Sequence, residues 1–162
     1  MANGGHDGSI RFNTALDNKQ LEKQLAGLSK KIEKKTQDIA KLTQKRDTVK
    51  GHGLFDGREL DAEKAKLQEI KDRLADVRAM AKDKSLGTAK REQAKEMIPS
   101  LREELADQRS RVSGLQTEWN KLQNAADRYD AQIAEATAEL EKQKRTAGQL
   151  REKLDGNSGA GA

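Results

Sequence analysis

The sequence predicts an all-α protein. Long helices with heptad seams form either a coiled coil or an antiparallel three-helix hairpin, preceded by one short N-terminal strand. Three observations carry this. Ala, Glu, Lys, Leu and Arg make up 84 of the 162 residues, the composition of long helices. Leu, Ile, Val and Phe number only 28, too few for an ordinary core but enough for narrow helical stripes. Apolar residues recur every three or four positions over long stretches, and one proline, Pro99, interrupts them.

Residues 1–8 hold three glycines and no bulky apolar side chain beyond Met1, so they are expected to be flexible. In residues 9–16, Ile10, Phe12 and Leu16 lie two and four apart, the spacing of one face of a strand. Asp17 and Gln20 fit a capping box, which places a helix start there and a basic heptad helix over 17–50. Its seam reads Leu21, Leu25, Leu28, Ile32, Ile39, Leu42 and Val49, with Lys35 and Arg46 in the two remaining places. A repeat averaging 3.5 residues keeps one face toward a partner helix, and charged seam residues weaken the seam while fixing its register.

The glycine-rich stretch 51–59 predicts a turn, with Leu54 and Phe55 tucking back. A second helix is expected over 60–84, on Leu60, Glu63, Leu67, Ile70, Leu74, Val77 and Ala81. Residues 85–99 are expected to form a turn and a short helix. The long heptad helix follows over 100–154, either restarting at a second capping box, Ser100 and Glu103, or kinking at Pro99. Its seam, including Val112, Leu115, Trp119, Leu122, Tyr129, Ile133, Leu140 and Leu150, keeps one phase from Ala94 to Leu154. Trp119 and Tyr129 read as large seam residues or as marks of a contact with another chain. Residues 155–162 read as a disordered, linker-like tail.

Composition narrows the function classes. Four aromatic residues cannot line much of a ligand pocket. No cysteine is present, which removes disulfides, thiolate metal sites and thiol nucleophiles. His6 and His52 sit in glycine-rich stretches with no metal-ligand spacing. No phosphate-binding loop or nucleophile turn is found. The expectation is a non-enzyme with no catalytic residue, metal, cofactor, small-molecule substrate or membrane segment in this portion. The unbroken third helix favours a homo-oligomer.

The net charge is +5, and residues 19–50 alone carry +6. Lys30, Lys31, Lys34 and Lys35 form a patch that would suit an anionic partner or simply solvation. Nucleic acid is not the expected partner, because no stacking aromatics are interleaved and Glu22, Glu33, Asp38 and Asp47 dilute the charge.

Gly8, Ile10, Phe12, Asn13, Thr14, Asp17, Leu21, Glu22, Lys23 and Leu25 follow the pattern Gly-x-Ile-x-Phe/Ile-Asn/Asp-Thr, an Asp, then Leu-Glu-Lys-x-Leu. In this the chain resembles the start of phage tail tape measure proteins. The specific match covers about residues 7–30, and beyond it the likeness is one of composition and periodicity. The resemblance implies the N-terminal portion of a structural virion protein that helps set tail length and scaffolds tail assembly. It implies tail tube and tail assembly chaperone proteins as partners, and a location inside the tail tube after assembly in the host cytoplasm. The alternative is a cellular coiled-coil adaptor or a DNA- or chromosome-associated rod using the basic helix 19–50.

Overall fold

The computed structural model describes the backbone of residues 3–160 and the side chains of residues 17–157. Three helices follow one another: α1, Asn3–Lys50; α2, Arg58–Lys82; and α3, Thr88–Ala160. The chain divides into two compact units. One joins residues up to Arg46 with residues from Arg128 onward, and the other spans Asp47–Asp127.

The expected strand at 9–16 is replaced by helix, and among the described residues there is no strand. A lone strand leaves its amides and carbonyls without partners, and among the described residues there is no second strand to pair with it. A helix satisfies those groups internally, so the backbone joins α1 instead. Asp17 and Gln20 therefore lie inside α1 and do not cap its start. Of the stretch expected to be flexible, residues 3–8 are also helical, and residues 1–2 lie outside the described ones.

The C-terminal expectation changes in the same direction. α3 runs on through 155–160, while residues 161–162 lie outside the described ones. Asn157 reaches back across the helix pair, its Nδ2 donating to Asn18 Oδ1 at 3.0 Å. α3 also begins at Thr88 and carries Pro99 within it, so Ser100 and Glu103 do not start a new helix. Proline lacks an amide hydrogen, which leaves the carbonyl four residues earlier without its helical donor. Glycines at 51, 53 and 57 end one helix before the next begins.

In the first unit, α1 packs antiparallel to the end of α3. Three polar contacts record the register: Asn18 with Asn157, Lys35 with Glu139, and Arg46 with Asp130. As the number on α1 rises, that on α3 falls by nearly the same count. The α1 seam from Leu21 to Val49 is half-buried at every place, and the residues between are mostly exposed. On α3, Leu140 and Ala147 are buried, and the other seam residues are half-buried.

In the second unit, α2 packs antiparallel to the first part of α3. Ile70, Leu74, Val77, Ala94, Leu101 and Leu105 form a buried cluster, with Leu67, Ala81 and Ile98 against it. The turn between these helices is organised by Asp83. Its Oδ1 accepts from the Ser85 amide at 2.9 Å and the Ser85 hydroxyl at 2.6 Å, an Asx turn that holds the chain for reversal.

The 51–57 connection is pinned onto α3. The Phe55 carbonyl accepts from Trp119 Nε1 at 3.1 Å and from Gln123 Nε2 at 2.9 Å. Gly57 takes a left-handed φ of 80° at the start of α2. A Cβ there would lie 3.4 Å from Trp119 Nε1. That distance is an ordinary contact, so it is the backbone angle that favours glycine.

The difference in burial predicts unequal costs of truncation. Leu74, 4% exposed, should cost about 3 kcal/mol when changed to Ala. Leu28, half-buried, should cost only about 1 kcal/mol, because less surface leaves water at that site. Urea unfolding of the two variants measures the contrast, and equal costs would contradict it.

Candidate interaction surface

Polar residues on the seams distinguish this helix pairing from a uniform apolar stripe. Lys35 occupies a seam place on α1, and its Nζ donates to Glu139 Oε2 at 2.6 Å. The hydrogen bond to Glu139 raises the Lys35 pKa above its ordinary value of 10.5. The same bond holds the Glu139 carboxyl below its ordinary 4.5. Arg46, the second seam cation, donates from Nη1 to Asp130 Oδ1 at 3.4 Å. Each seam cation thus meets an acid on α3. The pairs remain partly solvated, so their value lies in register more than in stability.

The second unit has its own polar seam layer. Glu63 and Gln108 are each 9% exposed. Gln108 Nε2 donates to the Glu63 carbonyl at 2.9 Å and to Glu63 Oε2. Lys66 Nζ lies 3.4 Å from Glu63 Oε1. The Gln108 amide is the leading reason that Glu63 titrates below its ordinary 4.5, with the Lys66 and Arg111 charges adding to it against the effect of burial. Glu63 Oε1, Glu63 Oε2 and the Glu63 carbonyl are therefore all engaged.

These placements revise the proposed anionic-partner patch. Lys30, Lys31 and Lys34 are exposed, but Lys35 lies half-buried in the seam and is paired with Glu139. It does not belong to the solvent-facing patch, because its heptad place turns it toward α3. Of the family-like motif, the side chains of Gly8, Ile10, Phe12, Asn13 and Thr14 lie outside the described residues. Leu21 and Leu25 occupy the seam, and Asp17, Glu22 and Lys23 are exposed.

The seam residues Leu28, Ile32, Ile39, Leu42, Val112, Leu115, Leu122, Tyr129, Ile133 and Leu150 are half-buried, and Leu140 is buried. Trp119 spends its indole N–H on the Phe55 carbonyl. His52 is exposed, and its Nδ1 accepts from the Leu54 amide at 3.1 Å, which organises the turn. Among the described residues no group of three or more His, Asp or Glu is placed to hold a metal ion. Among them, no helix is long and apolar enough to cross a membrane. Grooves run along the helix pairs, one lined by Lys35, Leu42, Gln132, Glu135, Ala136 and Glu139.

The Glu63–Gln108 layer and the double use of the Phe55 carbonyl were not anticipated. Glu63 at a seam place was a usable signal, because a buried acid demands a donor opposite. Nothing local to Phe55 announced its role. Comparison with known protein families, curated proteins and solved structures gave no match.

Two outcomes follow from the polar seams. Replacing both Lys35 and Arg46 by Leu should raise the melting temperature while loosening register. The chain has no cysteine of its own. Cysteines placed at positions 18 and 157 should therefore form a disulfide in high yield beside the native seam and in lower yield beside the Leu seam. Undiminished yield would show that the cations do not set register.

The second outcome concerns acid. Glu63, Asp83 and Glu139 are all held below their ordinary values. Their stabilisation is present above those values and is lost as pH falls through the lowered folded ones. The melting temperature should drop below about pH 4. Glu63→Gln, which keeps a hydrogen-bonding group but loses the charge, should show a shallower drop. Lys35 contributes in the opposite sense, with its stabilisation intact below pH 10.5 and lost above its raised folded value.

Proposed function

We propose that this chain is a structural virion protein, the N-terminal portion of a tail tape measure, and that it acts by helix association and not by catalysis. The observation that carries the reading is the motif from Gly8 to Leu25, followed by long stretches in which apolar residues keep a heptad phase. An α-helix converts residue number into distance at a fixed rise of ~1.5 Å. A helical protein can therefore encode a length in its sequence. Its surface is dominated by charge, with Lys, Arg, Asp and Glu forming 36% of residues. Such a surface suits a hydrated tube interior, where adhesion to the wall would be a hindrance.

In this reading the seams also serve assembly. Heptad seams that pair within one chain here re-pair between copies as a coiled coil, tube subunits polymerise around them, and tail assembly chaperones hold the chains before that step. The virion tail tube is the final location, reached from the host cytoplasm. A second reading, a cellular coiled-coil adaptor or chromosome-associated rod, draws on the +6 charge of residues 19–50.

Tail length decides between the two. Deleting residues 112–125, two heptads, should shorten tails by about 21 Å, and a deletion twice as long should double the loss. Electron micrographs of the progeny provide the measurement. Normal tails from both deletions would sink the tape measure reading.

A further inference from the structure

Three of the four acidic residues of 19–50 lie on a different flank of α1 from most of its lysines. Burial fixes the seam of α1 at Leu21, Leu25, Leu28, Ile32, Lys35, Ile39, Leu42, Arg46 and Val49. With that phase set, the remaining positions fall on either side of the seam at 100° per residue. Lys23, Lys30, Lys31, Lys34, Lys41 and Lys45 share one stripe about 100° wide, and all six are exposed. Glu22, Glu33 and Asp47 fall on the other flank, beside Lys19 and Lys50. Asp38 is the one acid at the edge of the lysine stripe. It is half-buried, and its charge acts on the seam lysine Lys35. The two seam cations are already paired with Glu139 and Asp130. The excess positive charge of the segment therefore lies along a single ridge.

The surroundings of the ridge identify its partner. On the α3 side, Glu135 and Glu139 share a groove with the seam residues Lys35 and Leu42, and Glu139 is committed to Lys35. Protein interfaces need an apolar centre within a polar rim. The exposed large hydrophobics among the described residues are Met80 and Met97, both outside this unit. The ridge offers cations without an apolar anchor and without an aromatic ring to stack on a base. That chemistry fits a regular line of phosphates. From residue 23 to 45 the ridge runs about 33 Å, close to one turn of duplex DNA.

We propose that the lysine ridge of α1 is a sequence-independent binding surface for the phosphate backbone of duplex DNA. Contact is electrostatic, so counterions leave the DNA and affinity falls steeply with salt. The proposal does not rest on the tail reading, and DNA titration and tail measurement fail separately.

The test is fluorescence anisotropy of the full chain with a labelled 24-base-pair duplex of arbitrary sequence, from 50 to 200 mM salt. The expected slope of log affinity against log salt is about −5 for six lysines, and a second, unrelated sequence should bind equally. The triple variant Lys30→Gln, Lys31→Gln, Lys34→Gln should lose at least tenfold in affinity and flatten the slope by about 3. A matched control, Lys64→Gln, Lys71→Gln, Lys90→Gln, removes the same charge elsewhere and should lose less than twofold. Arginine at 30, 31 and 34 should retain binding, which separates loss of charge from loss of fold. Three results would overturn the proposal: no binding at 50 mM salt, equal losses in the two glutamine variants, or tighter binding to an acidic polypeptide than to DNA.

Discussion

Register is the constraint on which the rest of this molecule depends. An apolar heptad seam repeats, so two helices joined by such a seam can slide by seven residues and meet nearly the same pattern. Polar residues at particular seam places break that degeneracy. Lys35 finds Glu139, Arg46 finds Asp130, and Asn18 finds Asn157. In the other unit, Glu63 finds Gln108. A slip of one heptad along α3 would put Glu63 opposite Leu101 or Leu115, where desolvation goes uncompensated, and would take Lys35 and Arg46 away from their acids. The individual contacts contribute little stability, but they make one alignment better than its neighbours.

The two units use their apolar residues differently. In the α2 unit, the cluster around Ile70, Leu74 and Leu101 is closed to solvent. In the α1 unit, every α1 seam residue remains half-exposed. Two helices alone cannot enclose a seam unless their side chains are large or covered from the side. Local stability follows buried area, so amides of the α1 unit should exchange faster than those around the α2 cluster.

Helix content and seam phase were legible in the sequence because both are periodic. Each seam place from Ala94 to Leu154 is buried or half-buried, as its spacing implied. The errors arose where a local signal was read without its competitors. Ile10, Phe12 and Leu16 alternate like a strand, yet a strand needs a neighbour that the chain does not supply. Asp17, Ser100 and Gly156 resemble helix ends, yet caps and breakers are weak beside a favourable pairing across helices. Lys35 was placed in a surface patch by its sequence neighbours and in the seam by its phase, and the phase prevailed. Net charge over 19–50 carries no helical direction, so the flank on which each acid lies is legible only once the seam phase is fixed. The Phe55 carbonyl was illegible for a different reason: a backbone acceptor carries no mark in the side-chain sequence.

The Asp83–Ser85 turn has a consequence for the order of events during folding. It joins two helices whose polar layer, Glu63 with Gln108, spans 45 residues of chain. In the α1 unit, Lys35 and Glu139 are 104 residues apart, and Asn18 and Asn157 are 139 apart. Ordering the longest of these loops directly costs about 1 kcal/mol more in chain entropy than ordering the shortest. The short loop also closes around the better-buried cluster, so entropy and burial favour the same nucleus. Pairing beside the Asp83 turn is therefore the least costly first closure for this chain. With α2 and the start of α3 already joined, the gap that the Lys35 and Asn18 contacts must close is far shorter than their sequence separation. A five-residue turn, held by one carboxylate oxygen, thus lowers the entropy that contacts more than a hundred residues apart must overcome.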